Sequence, residues 1–367
     1  MMIKFLDLHA QYMSIKSDVD AAIADVIANS AFIRGPHVAR FEQAFADWIG
    51  VAHCVGVANG TDALEIAIEA LDLPPGSEII VPGNSFIASS EAVSRSGHAV
   101  VFADADAGSY TLDPESVRAK ITPRTRALMA VHLYGHPCDM KSLMAIAREH
   151  DLRVIEDCAQ AHGAKFNGQN VGTCGDLATW SFYPGKNLGA FGDAGALTTQ
   201  DAGLARRAQM IANHGRVGKY DHEFEGRNSR LDGLQAAILS AKLPHLEGWI
   251  DKRIALADSY LVGLADIAEV TLPVRRNWAR QVYHLFVIRT GRRLELAEYL
   301  KARGIETGVH YPTALPRLKA YRNHPQHGEA LNVCAMDSQL LSLPIGEHMS
   351  LSDVTAVSEA VRDFFTA

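Results

Sequence analysis

The segment "ATWSFYPGKNLGAFGDAGALTT", residues 178–199, contains one lysine, Lys186, and sets the interpretation of the whole chain. Its first six residues predict a strand, and the Pro-Gly pair after them ends that strand just before the lysine. Three spaced glycines follow, and glycine costs backbone entropy unless the chain turns tightly or approaches a ligand closely. A solvated lysine in a turn needs no such setting, so the segment indicates a lysine with a chemical role.

A lysine in a crowded, partly apolar turn can have a lowered pKa and act as a nucleophile, which is what a covalent bond to an aldehyde cofactor requires. Pyridoxal phosphate is the cofactor that this chemistry suggests. The "GKN" triplet does not complete a phosphate-binding P-loop, because the earlier glycine and the following Ser/Thr are absent. A nicotinamide dehydrogenase is the competing α/β interpretation, and it leaves Lys186 unexplained.

Such a cofactor needs a carboxylate beside its ring nitrogen and backbone N–H groups for its phosphate. Asp157 follows the apolar run "LRVI", which places it at the carboxyl end of a predicted strand, where ligands of open α/β sheets collect. The stretch "VANGTDALEIAI" predicts a strand, a glycine turn and a helix that begins near Thr61. The hydroxyl of Ser181 is a second candidate phosphate contact.

The remaining pattern predicts two domains. Strands and helices alternate through the first two thirds of the 367 residues, which is typical of a mostly parallel sheet covered by helices on both faces. We therefore predict a large α/β domain over residues 1–245, including an N-terminal helix. Residues 246–367 are predicted to form a linking helix, after a break at Pro244, and a small α+β domain with strands at 282–288 and near "IETGVHY". Ser350 and Asp353 predict a capping box at its last helix.

Composition excludes several classes of protein. The 35 basic and 42 acidic residues give a net charge of −7, without the basic stripe that nucleic acid or anionic lipid requires. No membrane span or signal peptide is predicted, so a cytoplasmic location is expected. The five cysteines are dispersed and odd in number, which favours free thiols. His132, His136 and Cys138 lack a second pair of ligands, so no metal is predicted.

Five motifs, in order, resemble one family. "VPGNSFIASSEA", "EDCAQAHGA", "SFYPGKNLGAFGDAGAL", "HGRVGKYDHEFEGRNSRLDGLQAAIL" and "GVHYP" are similar to segments of the DegT/DnrJ nucleotide-sugar aminotransferases. The resemblance covers nearly the whole chain. It implies the fold type I pyridoxal-phosphate architecture seen in aspartate aminotransferase, and a homodimer with active sites at the subunit interface.

The resemblance also implies roles for individual residues. Lys186 would bind the cofactor aldehyde, Asp157 would pair with the ring nitrogen, and both would be catalytic. The other implied cofactor contacts are Gln160 with the phenolic oxygen, Phe86 stacked on the ring, Gly60, Thr61 and Ser181 with the phosphate, and Asn228 from the other subunit. The implied substrate contacts are Tyr183, His310, Tyr311 and, from the partner chain, Lys219.

The implied reaction transfers an amino group from glutamate to a nucleotide-linked keto-sugar. The segments "AQAHGA" and "HGRVGKYDHEFEGRNSRLD" resemble those of 3-keto-sugar enzymes, and a 4-keto-sugar enzyme is the alternative. Lys186 argues against the dehydratase branch of the family, in which a histidine replaces the lysine. A non-catalytic regulator that binds sugar nucleotides is the alternative from another class, but such a protein would not need both Lys186 and Asp157.

Overall fold

The computed structural model describes residues 2–366 and contains three β-sheets. The strands are β1 (His53–Val57), β2 (Glu78–Pro82), β3 (Ala99–Ala103), β4 (Thr125–Val131), β5 (Arg153–Asp157), β6 (Lys165–Phe166), β7 (Gln169–Asn170), β8 (Leu177–Ser181), β9 (Gly195–Thr199), β10 (Ala279–Arg280), β11 (Phe286–Arg289) and β12 (Leu340–Leu343). The main sheet has seven strands in the order β1-β9-β8-β5-β4-β2-β3. Only β9 runs against the other strands of this sheet, so the predicted, mostly parallel α/β fold is confirmed.

Helices surround this sheet and also contribute to the C-terminal part. They are α1 (Leu8–Ser14), α2 (Lys16–Ala28), α3 (Pro36–Ile49), α4 (Gly60–Ala70), α5 (Ala88–Arg95), α6 (Pro114–Lys120), α7 (Met140–Glu149), α8 (Ala202–Ile211), α9 (Gly233–Lys242), α10 (Leu246–Gly263), α11 (Arg293–Ala302), α12 (Asn332–Met336) and α13 (Leu351–Thr366). Among the helices of residues 2–366, none combines the length and apolar character that crossing a bilayer requires.

The main sheet is buried on both faces, and its central strands β2 and β4 are mainly apolar. In β2, Ile79 packs in the same cluster as Ile66 of α4, whereas its neighbour Ile80 packs in another cluster with Leu143 and Ile146 of α7. Alternate residues of a strand point to opposite faces, so the two clusters lie on opposite sides of the sheet. The seven strands therefore form a rigid layer whose carboxyl ends are available for a site.

The C-terminal segment has its own core, built from α10, α11, α13 and the antiparallel pair β11–β12. The predicted break at Pro244 is a 3₁₀ turn, Leu243–His245, between α9 and α10. The predicted capping box is confirmed, since Ser350 N donates to Asp353 Oδ2 at 2.8 Å and Asp353 N donates to Ser350 Oγ at 3.3 Å.

Two details of the C-terminal prediction were wrong. The strand expected over residues 282–288 begins only at Phe286, because the chain first turns at Tyr283, whose φ is +44°. The segment "IETGVHY" forms no strand and pairs through the isolated bridges Ile3–Ile305 and Gly308–Ser342. The domain boundary at residue 245 stays a prediction. All five cysteines are free thiols.

Candidate active site

A cavity of about 530 Å³ lies at the carboxyl ends of β5 and β8, beside the amino end of α4. Segments from the C-terminal part close its other side. All the predicted site residues line this cavity except Gln160, Asn228 and Lys219. Those that do are Gly60, Thr61, Phe86, Asp157, Ser181, Tyr183, Lys186, His310 and Tyr311.

Lys186 lies in a tight turn directly after β8. Its backbone N–H donates to the carbonyl of Tyr183 at 2.8 Å. A Cβ atom on Gly189 would lie only 2.2 Å from the carbonyl oxygen of Pro184, so only glycine fits there. This is the close approach that the sequence predicted, and it directs the half-buried lysine into the cavity.

Burial lowers the pKa of Lys186 to about 8, and the nearby Asp157 carboxylate acts in the opposite direction. The shift increases the neutral fraction of the amine, which is the nucleophilic and basic form. The side chain therefore has the property that covalent attachment to an aldehyde requires.

Asp157 ends β5 and is buried beside this amine. Its carboxylate accepts hydrogen bonds from Ala159 N at 3.1 Å and from Ser89 Oγ at 3.2 Å. Burial raises the pKa of Asp157, while the Ala159 N–H and Lys186 oppose the rise. Burial disfavours the charged form of this carboxylate, so a cationic partner such as a protonated pyridine nitrogen would stabilise it.

The amino end of α4 forms a cradle at the other end of the cavity. Asn59 caps the helix by accepting from Asp62 N at 2.8 Å, and the first backbone N–H groups of the helix have no intrahelical acceptor. A Cβ atom on Gly60 would lie 2.6 Å from Cβ of Ser181, and one on Gly195 would lie 2.4 Å from the Asn59 carbonyl. The glycines thus let the helix end approach the strands closely, and the cradle fits a phosphate.

Phe86 and Tyr311 lie together on the cavity wall, with their ring centroids 5.6 Å apart. Gln160 lies behind them: its Nε2 donates to Tyr311 Oη at 3.1 Å, and its Oε1 accepts from Tyr134 N at 2.7 Å. Burial raises the pKa of Tyr311 to about 12, so this hydroxyl stays protonated.

His310 and Tyr183 contribute the polar part of the opening. Nδ1 of His310 lies 2.8 Å from Ser342 Oγ, and burial together with Lys186 lowers its pKa to about 4. Tyr183 is exposed at the cavity mouth. Asn228 lines a neighbouring pocket with Asp193, and Lys219 lies on an exposed loop over the Tyr220 ring, so neither contacts the cavity of its own chain.

The cavity also contains residues that the sequence analysis missed. Asn59 is one that a capping pattern could have identified. Asp193 also lines the cavity and lies within the glycine-rich segment 178–199, where no feature of the pattern gave it a role. Arg253 and His284 line the cavity as well, and they lie outside the five quoted motifs. Arg253 comes from α10 and His284 from the turn before β11, which only the tertiary fold brings to this place.

A cluster of His132, Glu156 and Cys158 lies behind Asp157, with one potential ligand atom from each within 4.8 Å of the others. Glu156 accepts backbone N–H groups of the 172–175 loop at 2.7–2.8 Å and contacts His132 Nε2 at 3.0 Å. Burial raises the pKa of Cys158 to about 12, which keeps it a thiol. Both oxygens of the Glu156 carboxylate thus have hydrogen-bond partners, and these bonds hold the end of β5 in place.

A reactive amine, a buried carboxylate and a helix amino terminus in one cavity are the parts that pyridoxal phosphate needs. The residues present therefore fit this cofactor, which the sequence analysis predicted from Lys186 and Asp157.

Comparison with known proteins agrees with this geometry. The model of the DegT/DnrJ/EryC1/StrS aminotransferase family matches residues 13–362. The dTDP-3-amino-3,4,6-trideoxy-alpha-D-glucose transaminase of Streptomyces venezuelae is 46% identical over 363 residues, which are 99% of this chain and 96% of the relative. The dTDP-3-amino-3,6-dideoxy-alpha-D-galactopyranose transaminase of Aneurinibacillus thermoaerophilus is 44% identical over 363 residues, which are 99% of each chain.

Solved structures agree as well. The crystal structure of DesV from S. venezuelae in complex with a ketimine intermediate matches with a TM-score of 0.97 at 45% identity, covering 100% of this chain and 99% of that chain. The predicted family, fold and cofactor are confirmed. The chain belongs to the DegT/DnrJ/EryC1/StrS aminotransferase family, and it is an aminotransferase that depends on pyridoxal phosphate.

Proposed function

We propose that this aminotransferase transfers the amino group of glutamate to the C3 ketone of a nucleotide-linked sugar, giving an amino sugar nucleotide and 2-oxoglutarate. The observation that carries the proposal is the pairing of Lys186 with Asp157 in one cavity, in a chain 44–46% identical to two 3-amino-sugar transaminases. The same chemistry on a C4 ketone is the alternative. We expect the protein to work in the cytoplasm.

The chemistry divides between the cofactor and the chain. When bound, pyridoxal phosphate supplies a ring that withdraws electrons from the carbon next to the transferred nitrogen. Nζ of Lys186 anchors the cofactor, takes the proton from Cα of the donor, and later delivers a proton to the sugar carbon. Its pKa of about 8 leaves part of the amine neutral and basic near pH 7. Asp157 keeps the ring nitrogen protonated, which maintains the electron withdrawal.

We assign the remaining cofactor contacts from the family resemblance and from the positions of these residues at or beside the cavity. Gly60, Thr61 and Ser181 would hold the phosphate at the amino end of α4. Phe86 would stack on the ring face. Nε2 of Gln160 donates one N–H to the hydroxyl of Tyr311. Its second N–H would donate to the phenolic oxygen of the cofactor ring.

The expected cofactor and substrate contacts include residues of a second subunit, Asn228 for the cofactor phosphate and Lys219 for the substrate. Tyr183, His310 and Tyr311 line the open side of the cavity, where the sugar nucleotide would enter. We place Asn228 and Lys219 in the partner's site, because both are exposed and neither reaches the cavity of its own chain. Exposed apolar side chains on this part of the surface, Phe32, Ile33 and Phe191, support such a homodimer.

The two half-reactions test the proposal separately. Wild-type protein loaded with pyridoxal phosphate is mixed with glutamate, and 2-oxoglutarate is measured. The aminated cofactor form is then mixed with nucleotide-linked 3-keto and 4-keto sugars, and the position of the new amine is determined by NMR. Amination at C3 supports the proposal, whereas amination only at C4 replaces it with the alternative. Binding of a keto-sugar nucleotide without release of a 2-oxo acid from glutamate or any other amino donor would indicate a sensor.

A further inference from the structure

The segment that leads into α5, residues 85–89, lies beside Asp157 and contains two buried serines. Ser85 is 3% exposed and Ser89 is 1% exposed. Both belong to the motif "VPGNSFIASSEA", from which the proposed mechanism uses only Phe86. Ser89 N donates to the Phe86 carbonyl at 3.1 Å, so one turn of chain holds the aromatic ring and this serine together. A buried hydroxyl costs free energy unless it is hydrogen-bonded, so the partners of the two serines indicate what they do.

The partner of Ser89 differs from those of the other serines of α5. Ser90 Oγ donates to the carbonyl of Ile87 at 3.0 Å, and Ser94 Oγ donates to the carbonyl of Ser90 at 3.4 Å. Such bonds to the preceding turn are usual for a serine in a helix. Ser89 Oγ instead donates to Oδ2 of Asp157 at 3.2 Å. The hydroxyl of Ser89 therefore joins α5 to the end of β5.

The direction of these hydrogen bonds follows from the groups involved. An ionised carboxylate only accepts, so the hydroxyl hydrogen of Ser89 points to Asp157. Ser85 Oγ lies 2.7 Å from Ser89 Oγ, and Ser89 has no second hydrogen, so Ser85 is the donor of that bond. The two hydroxyls thus form a chain that ends at the carboxylate. Hydrogen bonds in such a chain polarise and strengthen one another.

The carboxylate of Asp157 is held at both of its oxygens. Oδ1 accepts from Ala159 N at 3.1 Å, and Oδ2 accepts from Ser89 Oγ at 3.2 Å. Rotation of the carboxylate would break both bonds, so its orientation is fixed. Asp157 also lines the cavity, and a carboxylate oxygen can accept more than one hydrogen bond. The side chain therefore keeps the capacity to accept a donor in the cavity.

The same bonds stabilise the charge of Asp157. Burial raises its pKa, and the groups that oppose this rise are, in decreasing order, the Ala159 N–H, Lys186, the Ser89 hydroxyl and His132. A carboxylate that keeps a ring nitrogen protonated has to remain ionised beside it. Without the hydroxyl, a proton shared by the two groups would move towards the carboxylate.

We infer that Ser89 is a positioning residue for Asp157: its hydroxyl, held by Ser85, fixes the carboxylate in the orientation in which it lines the cavity and stabilises its charge there. The inference rests on the proposed function, in which Asp157 keeps the ring nitrogen of the cofactor protonated. Ser89 itself does not line the cavity, so it acts through Asp157.

The first test measures the ring nitrogen of the bound cofactor. Wild-type protein and Ser89→Ala are loaded with pyridoxal phosphate labelled with ¹⁵N in the ring, without donor or keto-sugar, and the ¹⁵N chemical shift reports the protonation of this nitrogen. We expect a protonated nitrogen in wild type. In Ser89→Ala the ratio of ring-protonated to carboxyl-protonated protein should fall about 10-fold, because a hydrogen bond to a charged group is lost.

Three further variants separate positioning from packing. Ser89→Thr retains the hydroxyl and should keep the wild-type chemical shift. Ser85→Ala removes only the donor to Ser89, so it should give a smaller change in the same direction as Ser89→Ala. The control is Ser90→Ala, which removes a buried hydroxyl bonded to the Ile87 carbonyl and should change nothing.

The outcomes distinguish this inference from the proposed function. The wild-type chemical shift in Ser89→Ala, or in Ser85→Ala if the first variant does not fold, would overturn the inference and leave the role of Asp157 intact. An unprotonated ring nitrogen in wild type would overturn the role of Asp157 as well. The measurement needs neither glutamate nor a keto-sugar, so it does not depend on the proposed substrates.

Transamination gives the matching kinetic result. In the glutamate half-reaction, Ser89→Ala should slow proton transfer about 10-fold with little change in glutamate affinity or in bound cofactor, because Asp157 is present but less often charged. Ser89→Thr should restore the rate. A parallel loss of rate and bound cofactor, with an unchanged ¹⁵N chemical shift, would show that Ser89 only supports the fold.

Discussion

The two walls of the active-site cavity are built in different ways. The cofactor wall (residues 59–61, 157 and 181–186) consists of strand ends and a helix start, held together by backbone contacts so close that only glycine fits at 60, 189 and 195. The C-terminal wall (residues 253, 284, 310 and 311) consists of side chains held by hydrogen bonds from distant segments. The first wall fixes the positions of the reacting groups through the backbone, whereas the second depends on hydrogen bonds between side chains and distant segments.

The largest effect is expected on the cofactor wall, at Lys186. Lys186→Ala removes both the cofactor anchor and the base, so turnover should fall by at least about 10³-fold. Release of 2-oxoglutarate from glutamate measures it, with the exposed Lys141→Ala as the matched control. Retention of appreciable turnover in Lys186→Ala would show that another group moves the proton.

Asp157→Asn should give the next largest effect. The amide keeps the shape but cannot hold the ring nitrogen protonated, so turnover should fall about 100-fold or more while bound cofactor is largely retained. Cofactor absorbance and turnover are measured on the same samples, with the exposed Asp151→Asn as control. Equal losses of cofactor and turnover would mean that Asp157 acts in binding and not in catalysis.

The same difference between the walls decides what could be predicted from the sequence. Lys186, Asp157 and Thr61 each lie at the carboxyl end of a strand or within a few residues of it. Such segments place their side chains by local geometry, so the parallel sheet and this wall could be predicted together. The antiparallel direction of β9 could not be predicted, because a short apolar run does not indicate whether the strand is parallel or antiparallel to its neighbours.

The C-terminal wall could not be predicted in this way. Arg253 has the appearance of a surface residue of an amphipathic helix, yet it is buried and bonds to carbonyls about 30 and 90 residues away. His284 is directed into the cavity by the turn at Tyr283, which also shortened the predicted strand. Both depend on long-range partners that no periodicity encodes.

Substitution of glycine tests whether the backbone contacts of the cofactor wall matter. In Gly189→Ala the new Cβ would lie 2.2 Å from the Pro184 carbonyl oxygen, so the Lys186 turn must shift. We expect a loss of about 1–3 kcal/mol in the free energy of unfolding and a matching loss of turnover. Gly248→Ala in α10 is the control, because nothing lies within 4 Å of its Cβ position and alanine favours a helix. Equal stability of the two variants in denaturant titrations would contradict the tight turn.

The smallest effect concerns the connection between the walls. Buried Lys242 donates to the Gly189 carbonyl at 2.7 Å and to Gln11 Oε1 at 2.8 Å, and Gln11 contacts Glu347, the partner of Arg253. Burial lowers the pKa of Lys242 to about 8, whereas the unfolded chain retains this proton to about pH 10.4. Between these values the unfolded state binds more protons, so this lysine makes folding more favourable as the pH rises.

The free energy of unfolding lost in Lys242→Met should therefore increase by roughly 1–2 kcal/mol between about pH 7 and pH 10. Urea titrations of the cofactor-free protein at several pH values measure the difference, and the exposed Lys301→Met should show no such trend. A difference that is constant with pH would mean that Lys242 stays charged in the folded protein. In that case a buried cation, balanced by Glu347 through Gln11, would join the two walls in place of a neutral amine.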